Sequence, residues 1–471
     1  MRRAPSLLPS LFLGLVLLLA TPKHDSVFAV PSSGPLYLQS TATIIGRVVD
    51  QNNAVIAGAS VTARNTATGL ERITTTDDRG TYQFAALPVG YYRLEINAAG
   101  FGSRIVERLE AEVATVVVQN FQLEVGDVAQ MVQVPADVAL VELATTAVGQ
   151  VINERTVQEI PLNGRYFIDL GLLVPGSVTP PQNGFLSSPT RGGGSLALNT
   201  AGNREDTINF QINGISFNDQ VNNILHFNPP LASIQEFKID NSTFSAEHGR
   251  NSGAVVNVAT RSGSRDFHGE LYEFFRNNAL DARNFFNFVS NEPPPFNRNQ
   301  FGGAIGGPIK LPRFGEGGSV FREGKPRAFF FFTYEVLRQR QGVDLNSLVL
   351  SDAQRLSVNN PVIKSLVELI PLANFTDSSG TPRFVGSTPA TADTNQGTID
   401  ISYDIGPNDR VHGYYALQKS LRNEPNLQGN TIPGFGDVRD GFRQILTLNE
   451  THIFSPSLVN DLRLGFNRIY F

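Results

Sequence analysis

The sequence predicts an all-β chain with minor helix, in three successive parts. These are an N-terminal β-sandwich, a small α+β unit, and an incomplete transmembrane antiparallel β-barrel. Three observations lead there. Short strands punctuated by turns fill residues 41–124. The N-terminus carries an export signal, yet no later stretch supplies the roughly 18 consecutive apolar residues of a helical span. The last 200 or so residues contain strands in which apolar and polar side chains alternate. Every backbone polar group has to be paired inside lipid, so a barrel is the remaining way to cross.

Residues 1–29 read as a secretory signal peptide. Arg2 and Arg3 give the positive start, Leu7 to Ala20 the apolar core, and Val27-Phe28-Ala29 a small-residue cleavage site. The apolar stretch is short for an anchor and contains Pro9. Residues 30–40 form a Pro/Ser/Gly-containing leader. Export, the lack of a helical span and the long alternating strands at the end together fit the outer membrane of a Gram-negative-type bacterium.

The segment 41–124 offers strands at 43–50, 59–65, 72–77, 82–84, 91–97 and 113–123, separated by turns at Asn65–Gly69, Asp77–Gly80 and Pro88–Gly90. Strands so short and so evenly spaced predict a sandwich. G-R-V-V-D (46–50), A-S-V-T (59–62), T-D-D-R-G-T-Y-Q-F (76–84) and L-P-V-G-Y-Y (87–92) resemble the carboxypeptidase regulatory-like, transthyretin-like β-sandwich. The resemblance implies a non-catalytic module with a carbohydrate-binding-like fold. A periplasmic spacer and a glycan-contacting domain are both compatible with it, because fold alone does not assign binding.

Residues 125–262 read as a second unit. G-D-V-A-Q-M-V-Q-V (126–134) is a β segment able to add to a partner's sheet. In 146–161 a strand and turn lead into a short helix, with Asn153 or Thr156 as cap and Pro161 as stop. A second short helix covers 165–175, and Asn213-Gly214 turns a hairpin within 208–219. Strands at 234–240 and 252–263 complete the set. The motifs V-Q-E-I-P-L-N-G-R (157–165), G-N-R-E-D-T-I-N-F-Q-I-N-G (202–214), I-Q-E-F-K (234–238), S-A-E-H-G-R (245–250) and G-A-V-V-N-V-A-T-R-S-G (253–263) carry a second resemblance. With F-H-G (267–269), 274–286, 298–308 and 329–335 further on, they resemble TonB-dependent outer-membrane transporters, most closely the Oar-like type. In that family a Tyr commonly stands where this chain has His248. The resemblance implies that 125–262 is a plug inside a barrel beginning at 263. It implies as partners the outer-membrane lipid, the barrel assembly machinery and a TonB-type energy-coupling protein meeting 126–134. It also implies a small-molecule, oligosaccharide or peptide ligand.

Three segments show the wall pattern most clearly. Ile399, Ile401, Tyr403 and Ile405 alternate with Asp400, Ser402 and Asp404. Val411, Gly413, Tyr415 and Leu417 alternate with Arg410, His412 and Tyr414, and Leu462, Leu464 and Phe466 with Asp461, Arg463 and Asn467. Further strands are expected at 267–276, 299–309, 327–337 and 441–454, with a long extracellular excursion over 338–395 holding a helix near 362–370. Plugged transporters have roughly 22 strands. At about ten residues per strand plus turns, the chain after Ser262 has room for about seven. It therefore reads as the N-terminal part of a longer receptor, and the closing R-I-Y-F (468–471) as a chance likeness to an assembly signal.

Chemistry is not predicted. Cysteine is absent, which excludes disulfides, thiol catalysis and thiolate metal sites. Net charge is −5 with no basic concentration, so nucleic acid is not an expected partner. The six histidines (24, 226, 248, 268, 412, 452) make no metal-ligand spacing with one another or with carboxylates. R-G-G-G-S (191–195) and G-G-A-I-G-G (302–307) lack the order of a nucleophile elbow or a phosphate loop. No catalytic, cofactor or metal residue is assigned, and no enzyme activity. The residues expected to matter are charges that tie plug to wall: Glu236, Lys238, Glu247, Arg250 and Arg261. The expected function is uptake of a scarce or bulky solute through a plugged barrel. The alternative is an outer-membrane structural or adhesion protein.

Overall fold

Alternation of side chains in and out of water shapes all three parts of the computed structural model. It describes residues 40–126, 132–134, 147–179, 198–219, 223, 225, 227–249, 251–282, 293, 295–310, 325–425, 432, 434–456 and 458–470. The expected signal peptide, the expected leader up to residue 39, Arg250, 127–131 and 191–195 lie outside the described residues.

The N-terminal part is two sheets around one core. β1 (Ala42–Asp50) pairs with β4 (Thr81–Leu87), β7 (Val116–Val118) and β8 (Phe121–Leu123). The facing sheet has the order β3 (Glu71–Thr75), β2 (Ser60–Asn65), β5 (Gly90–Asn97), β6 (Arg104–Ala111), β9 (Val132–Val134). Val61, Ala63, Leu94 and Ile96 face Ile44, Val48, Tyr82 and Phe84 in a shared cluster. One strand exceeds the sequence expectation: β6, whose R-I-V-E-R-L-E-A has charges breaking its apolar rhythm. The stretch 113–123 divides into β7 and β8, which contact β1 in succession. The segment 132–134 lies parallel to Arg104–Val106 of β6 within the same chain.

The middle part centres on a five-stranded sheet of order β10 (Val148–Ile152), β15 (Ile234–Ser242), β16 (Val255–Thr260), β13 (Asn209–Ile212), β14 (Ile215–Ser216). β11 (Ser177–Val178) and β12 (Asn199–Thr200) form a small separate pair. α1 (Glu154–Glu159) is capped by Asn153, whose Oδ1 accepts from Thr156 N–H at 3.0 Å. A 3-10 turn, Phe167–Leu173, follows. Asn213 and Gly214 both have positive φ (49° and 79°), the backbone a two-residue hairpin needs. Phe167, Phe210, Phe217 and Phe237 fill the core.

The last part is a single antiparallel sheet. Its order is β17 (His268–Asn277), β18 (Phe296–Ile309), β19 (Ala328–Leu348), β21 (Pro382–Asp404), β22 (Asp409–Glu424), β23 (Asp437–Ser455), β24 (Leu458–Tyr470), with the short β20 (Phe375–Thr376) beside β21. Its pattern is inside out. Ile399 and Ile401 are 37% and 42% exposed, whereas Asp400 and Ser402 between them are 2% and 1%. A half-buried soluble sheet would reverse this, so apolar-out, polar-in marks a membrane wall. Leu462, Leu464 and Phe466 repeat the outward face on β24. The expected excursion over 338–395 shrinks to 349–381, with α2 (Asp352–Leu356) and α3 (Pro361–Leu369). β19 and β21 pair in unbroken register from Ala328↔Tyr403 to Leu348↔Arg383. Their outer ends carry Thr, Asn, Gln and Arg rather than a lipid-facing stripe, which conceals strand in sequence.

Candidate functional site

The plug sits on the polar face of the wall, and the contact is built around the loop Leu162-Asn163-Gly164-Arg165. Gly164 and Arg165 have φ of 97° and 56°, which turns the loop outward. Asn163 Oδ1 accepts from Arg298 Nη1 at 2.7 Å and from Arg276 Nη1 at 3.2 Å. Arg165 Nε lies 3.4 Å from Glu335 Oε2. Its guanidinium also lies over the rings of Phe274 (4.4 Å) and Tyr272 (4.6 Å). Asn228 fixes the loop from behind, accepting from Phe167 N–H at 3.3 Å and donating to Arg165 O at 3.2 Å. Arg165 is 9% and Glu335 2% exposed, so the pair is desolvated.

Glu335 belongs to a row of register partners crossing six wall strands: Tyr272, Gly302, Glu335, Gln396, Gln418 and Arg443. Gly302 is the gap in the row. A Cβ there would meet Tyr272 Oη at 2.8 Å, and its absence lets that hydroxyl donate to Glu335 Oε2 at 3.0 Å. Gln396 Nε2 donates to Glu335 Oε1 at 2.8 Å, Gln418 Nε2 to Gln396 Oε1 at 2.8 Å, and Arg443 Nη1 to Gln418 Oε1 at 2.9 Å. Gln300, one step along β18, donates to Glu335 Oε1 at 3.0 Å. The result is a hydrogen-bonded belt around the lumen face.

A second set of contacts joins the plug sheet and its hairpin to the wall. Thr260 Oγ1 donates to Asp400 Oδ2 at 2.6 Å, and His412 Nε2 lies 2.8 Å from the same oxygen. Asn449 Nδ2 donates to Asn213 O at 2.9 Å, and Asn467 Nδ2 to Asn218 O at 3.1 Å. At the chain's exit from the plug, Gly263 presses on the wall. A Cβ there would come within 2.3 Å of Phe330 O and 2.7 Å of Gly307 O.

The five charges singled out in the sequence separate in space. Arg261 lies 3.2 Å from Glu270 on β17 and 3.4 Å from Glu154 on α1, over the Phe331 ring at 4.8 Å. Glu247 is exposed, and Arg250 is outside the described residues. Glu236 and Lys238 turn toward the sandwich, which corrects the expectation of a wall contact. Val113 N–H donates to Glu236 Oε1, and Lys238 Nζ donates to Ala114 O at 3.2 Å. Burial holds the Glu236 carboxyl well above the usual carboxylate range, with Glu112, Glu110 and Glu154 adding to the effect and the Val113 N–H opposing it. Sequence reasoning placed the two side chains on one strand face but could not say which body covers that face. It missed Arg165 and Glu335 altogether. The available signal was the L-N-G-R turn itself, a Gly followed by a charge between two short helices.

Folding also gathers a group that spacing hid. Pairing of β22 with β23 brings Asp409, Glu450 and His452 together, with ligand atoms within 4.8 Å of one another, all half-buried at the strand ends. His452 Nδ1 bonds Asp409 Oδ1.

Comparison with known proteins agrees with this architecture. Residues 43–124 match the carboxypeptidase regulatory-like domain, and residues 259–359 and 356–471 the outer membrane beta barrel domain. The chain thus carries a carboxypeptidase regulatory-like module ahead of an outer membrane beta barrel domain. It is 24% identical over 298 residues to the TonB-dependent transporter Oar of Myxococcus xanthus, covering 59% of this chain and 27% of that protein. Among solved structures it is similar to the outer membrane transporter YddB from Escherichia coli, at 11% identity and a TM-score of 0.46, covering 68% of this chain and 39% of that one. A ferric enterobactin receptor mutant from Pseudomonas aeruginosa, in complex with enterobactin, gives 10% identity and a TM-score of 0.43, covering 68% and 41%. The chain therefore spans about a quarter of the length of the curated relative and about two fifths of those structures.

Proposed function

We propose that the chain is the sandwich, plug and first wall strands of an Oar-like TonB-dependent receptor, which imports a scarce or bulky solute across the outer membrane. The observation that carries the reading is the seating of a folded α+β unit on the polar face of an inside-out sheet. The seat consists of side-chain bonds and of apolar packing, with Tyr414, Ala416 and Ile445 of the wall against the plug core, and not of a continuous sheet, so one part can leave the other. Opening requires work on the plug, and a TonB-type coupling protein pulling on 126–134 would supply it. Segment 132–134 is held by one short parallel pairing, which favours its exchange onto another sheet. The wall requires outer-membrane lipid and the barrel assembly machinery. The solute belongs to the iron chelates, oligosaccharides or peptides.

Uptake of one labelled member of each class, measured in cells carrying the whole gene, tests this. Uptake of one of them should vanish when 126–134 is deleted or the proton gradient is collapsed. Surface binding of a labelled compound that survives both treatments, without uptake, would replace transport with adhesion.

A further inference from the structure

We infer that the N-terminal sandwich is a clamp: it bonds the plug and the wall rim together and has to lift before the plug moves. The inference rests on reading the plug as a movable part. Three separate approaches support it, to the plug, to the segment joining plug and wall, and to the wall.

The first contact is on the plug. β15 runs through the plug sheet between β10 and β16, and it directs Glu236 and Lys238 into the sandwich loop between β6 and β7. They are 4% and 3% exposed. Buried polar groups need partners: Glu236 takes one from the Val113 N–H, and Lys238 takes Ala114 O besides Asp240 of its own strand. A freely tethered spacer would leave both in water.

The second contact is where the chain leaves the plug. Arg265 N–H donates to Ala67 O at 3.2 Å, and its guanidinium donates to Thr66 O at 3.1 Å and Ala67 O at 3.4 Å. Gly69, with φ of 73°, makes room: a Cβ there would sit 2.9 Å from Arg265 Cζ. The third is an approach to the wall: the sandwich residues Asn65, Thr66 and Tyr91 line one cleft together with the wall residues Arg410, His412 and Asp461. That cleft, of about 390 Å³, lies among sandwich, plug and wall, with Gln235 and Arg261 as plug-side lining.

A body bonded at once to a moving part and to a fixed part resists their relative motion. The chain's path adds a release route. The stretch after the sandwich passes along β6 as β9 before it enters the plug at β10, so tension on it bears first on the clamp.

The chain has no cysteine, which makes an engineered pair unambiguous. Ala67→Cys with Arg265→Cys spans sandwich and exit, and Ser60→Cys with Thr75→Cys, opposite each other within the sandwich, is the control. The purified full chain in detergent is followed by disulfide formation and by hydrogen exchange of peptides covering 234–242. The Ala67/Arg265 pair should close on mild oxidation. Reduced, it should exchange faster than wild type at 234–242, on the order of five-fold for the lost Arg265 bonds. Oxidised, it should return to the wild-type rate or below. Arg265→Ala alone should match the reduced form, with exchange at 409–424 unchanged as proof of folding. Failure of this pair to close where the control closes would overturn docking. Equal exchange at 234–242 in all states would overturn the clamp. Neither readout measures uptake, so a failed transport reading gives a different result from a failed clamp.

Discussion

The guanidinium of Arg165 lies 3.4 Å from the carboxylate of Glu335 while covering the faces of Tyr272 and Phe274. One plug side chain thus meets a charge and two aromatic rings of the wall at once. Removing one member of a buried pair costs about 3–5 kcal/mol, because the other charge stays buried and alone. Arg165→Ala should loosen the plug by that order, read as faster hydrogen exchange of plug peptides. Glu335→Gln should cost less, since an amide still accepts from Gln396 and Gln300. A double-mutant cycle between the two positions should return a coupling above 1 kcal/mol; additive effects would show that the pair does not hold the plug.

Asn163 offers a change in each direction. Its Oδ1 accepts from two arginines, Arg298 and Arg276. Asn163→Ala should weaken the seat by about 1–3 kcal/mol. Asn163→Asp should strengthen it, because charge-assisted bonds are roughly twice as strong as neutral ones. Urea titration of plug release, followed by protease cutting of the plug, would rank the three forms; an Asp form weaker than wild type would refute the assignment.

Docking of the sandwich should depend on pH through Glu236. Its carboxyl is held above the ordinary value of 4.5 by burial first, then by Glu112, Glu110 and Glu154. A group raised on folding gives stability that is full below its unfolded value and is lost as pH rises through the folded one. The clamp should therefore tighten in acid, by at most about 1.4 kcal/mol per pH unit across that window. Glu236→Gln keeps an acceptor for Val113 N–H and removes the titration. It should flatten the pH dependence of exchange at 234–242 and protect that strand near neutrality. A slope unchanged in the Gln variant would assign the effect to another group.

Gly263 should tolerate no side chain. Its built Cβ meets main-chain atoms, Phe330 O, Gly307 O and Phe330 N, all within 3.0 Å, and none of these can swing aside. Gly263→Ala should cost about 1–3 kcal/mol by overpacking and lower the yield of heat-resistant folded wall. Gly380→Ala, with φ of 79° but open space around its built Cβ, separates backbone strain from collision and should cost less.

The sequence made the wall legible because membrane strands invert the usual burial, and period-two alternation at 398–405 and 461–467 survives without any partner in view. It also exposed Asn153 as a cap and Asn213-Gly214 as a turn, since each acts on its own neighbours. What stayed hidden depends on distance. Arg165 and Glu335 meet only once the plug is seated on the sheet. Glu236 and Lys238 share a strand face, as period two requires, but the body that covers it is more than 100 residues upstream. β6 was concealed because the adjacent charges Glu107 and Arg108 break its apolar alternation, where its pairing with β5 shifts register.

The belt through Glu335, Gln396, Gln418 and Arg443 bears on what an empty lumen would be like. Its amides and charges answer one another from strand to strand, so the wall's polar lining does not need the plug to complete it. Among the described residues, departure of the plug opens wall valences such as those of Glu335, Asp400, Arg298, Arg276, Asn449 and Asn467, which water can take up and return. The strand-to-strand bonds of that lining hold it in place by themselves, so the belt should present the same row of amides and charges with the plug seated or gone.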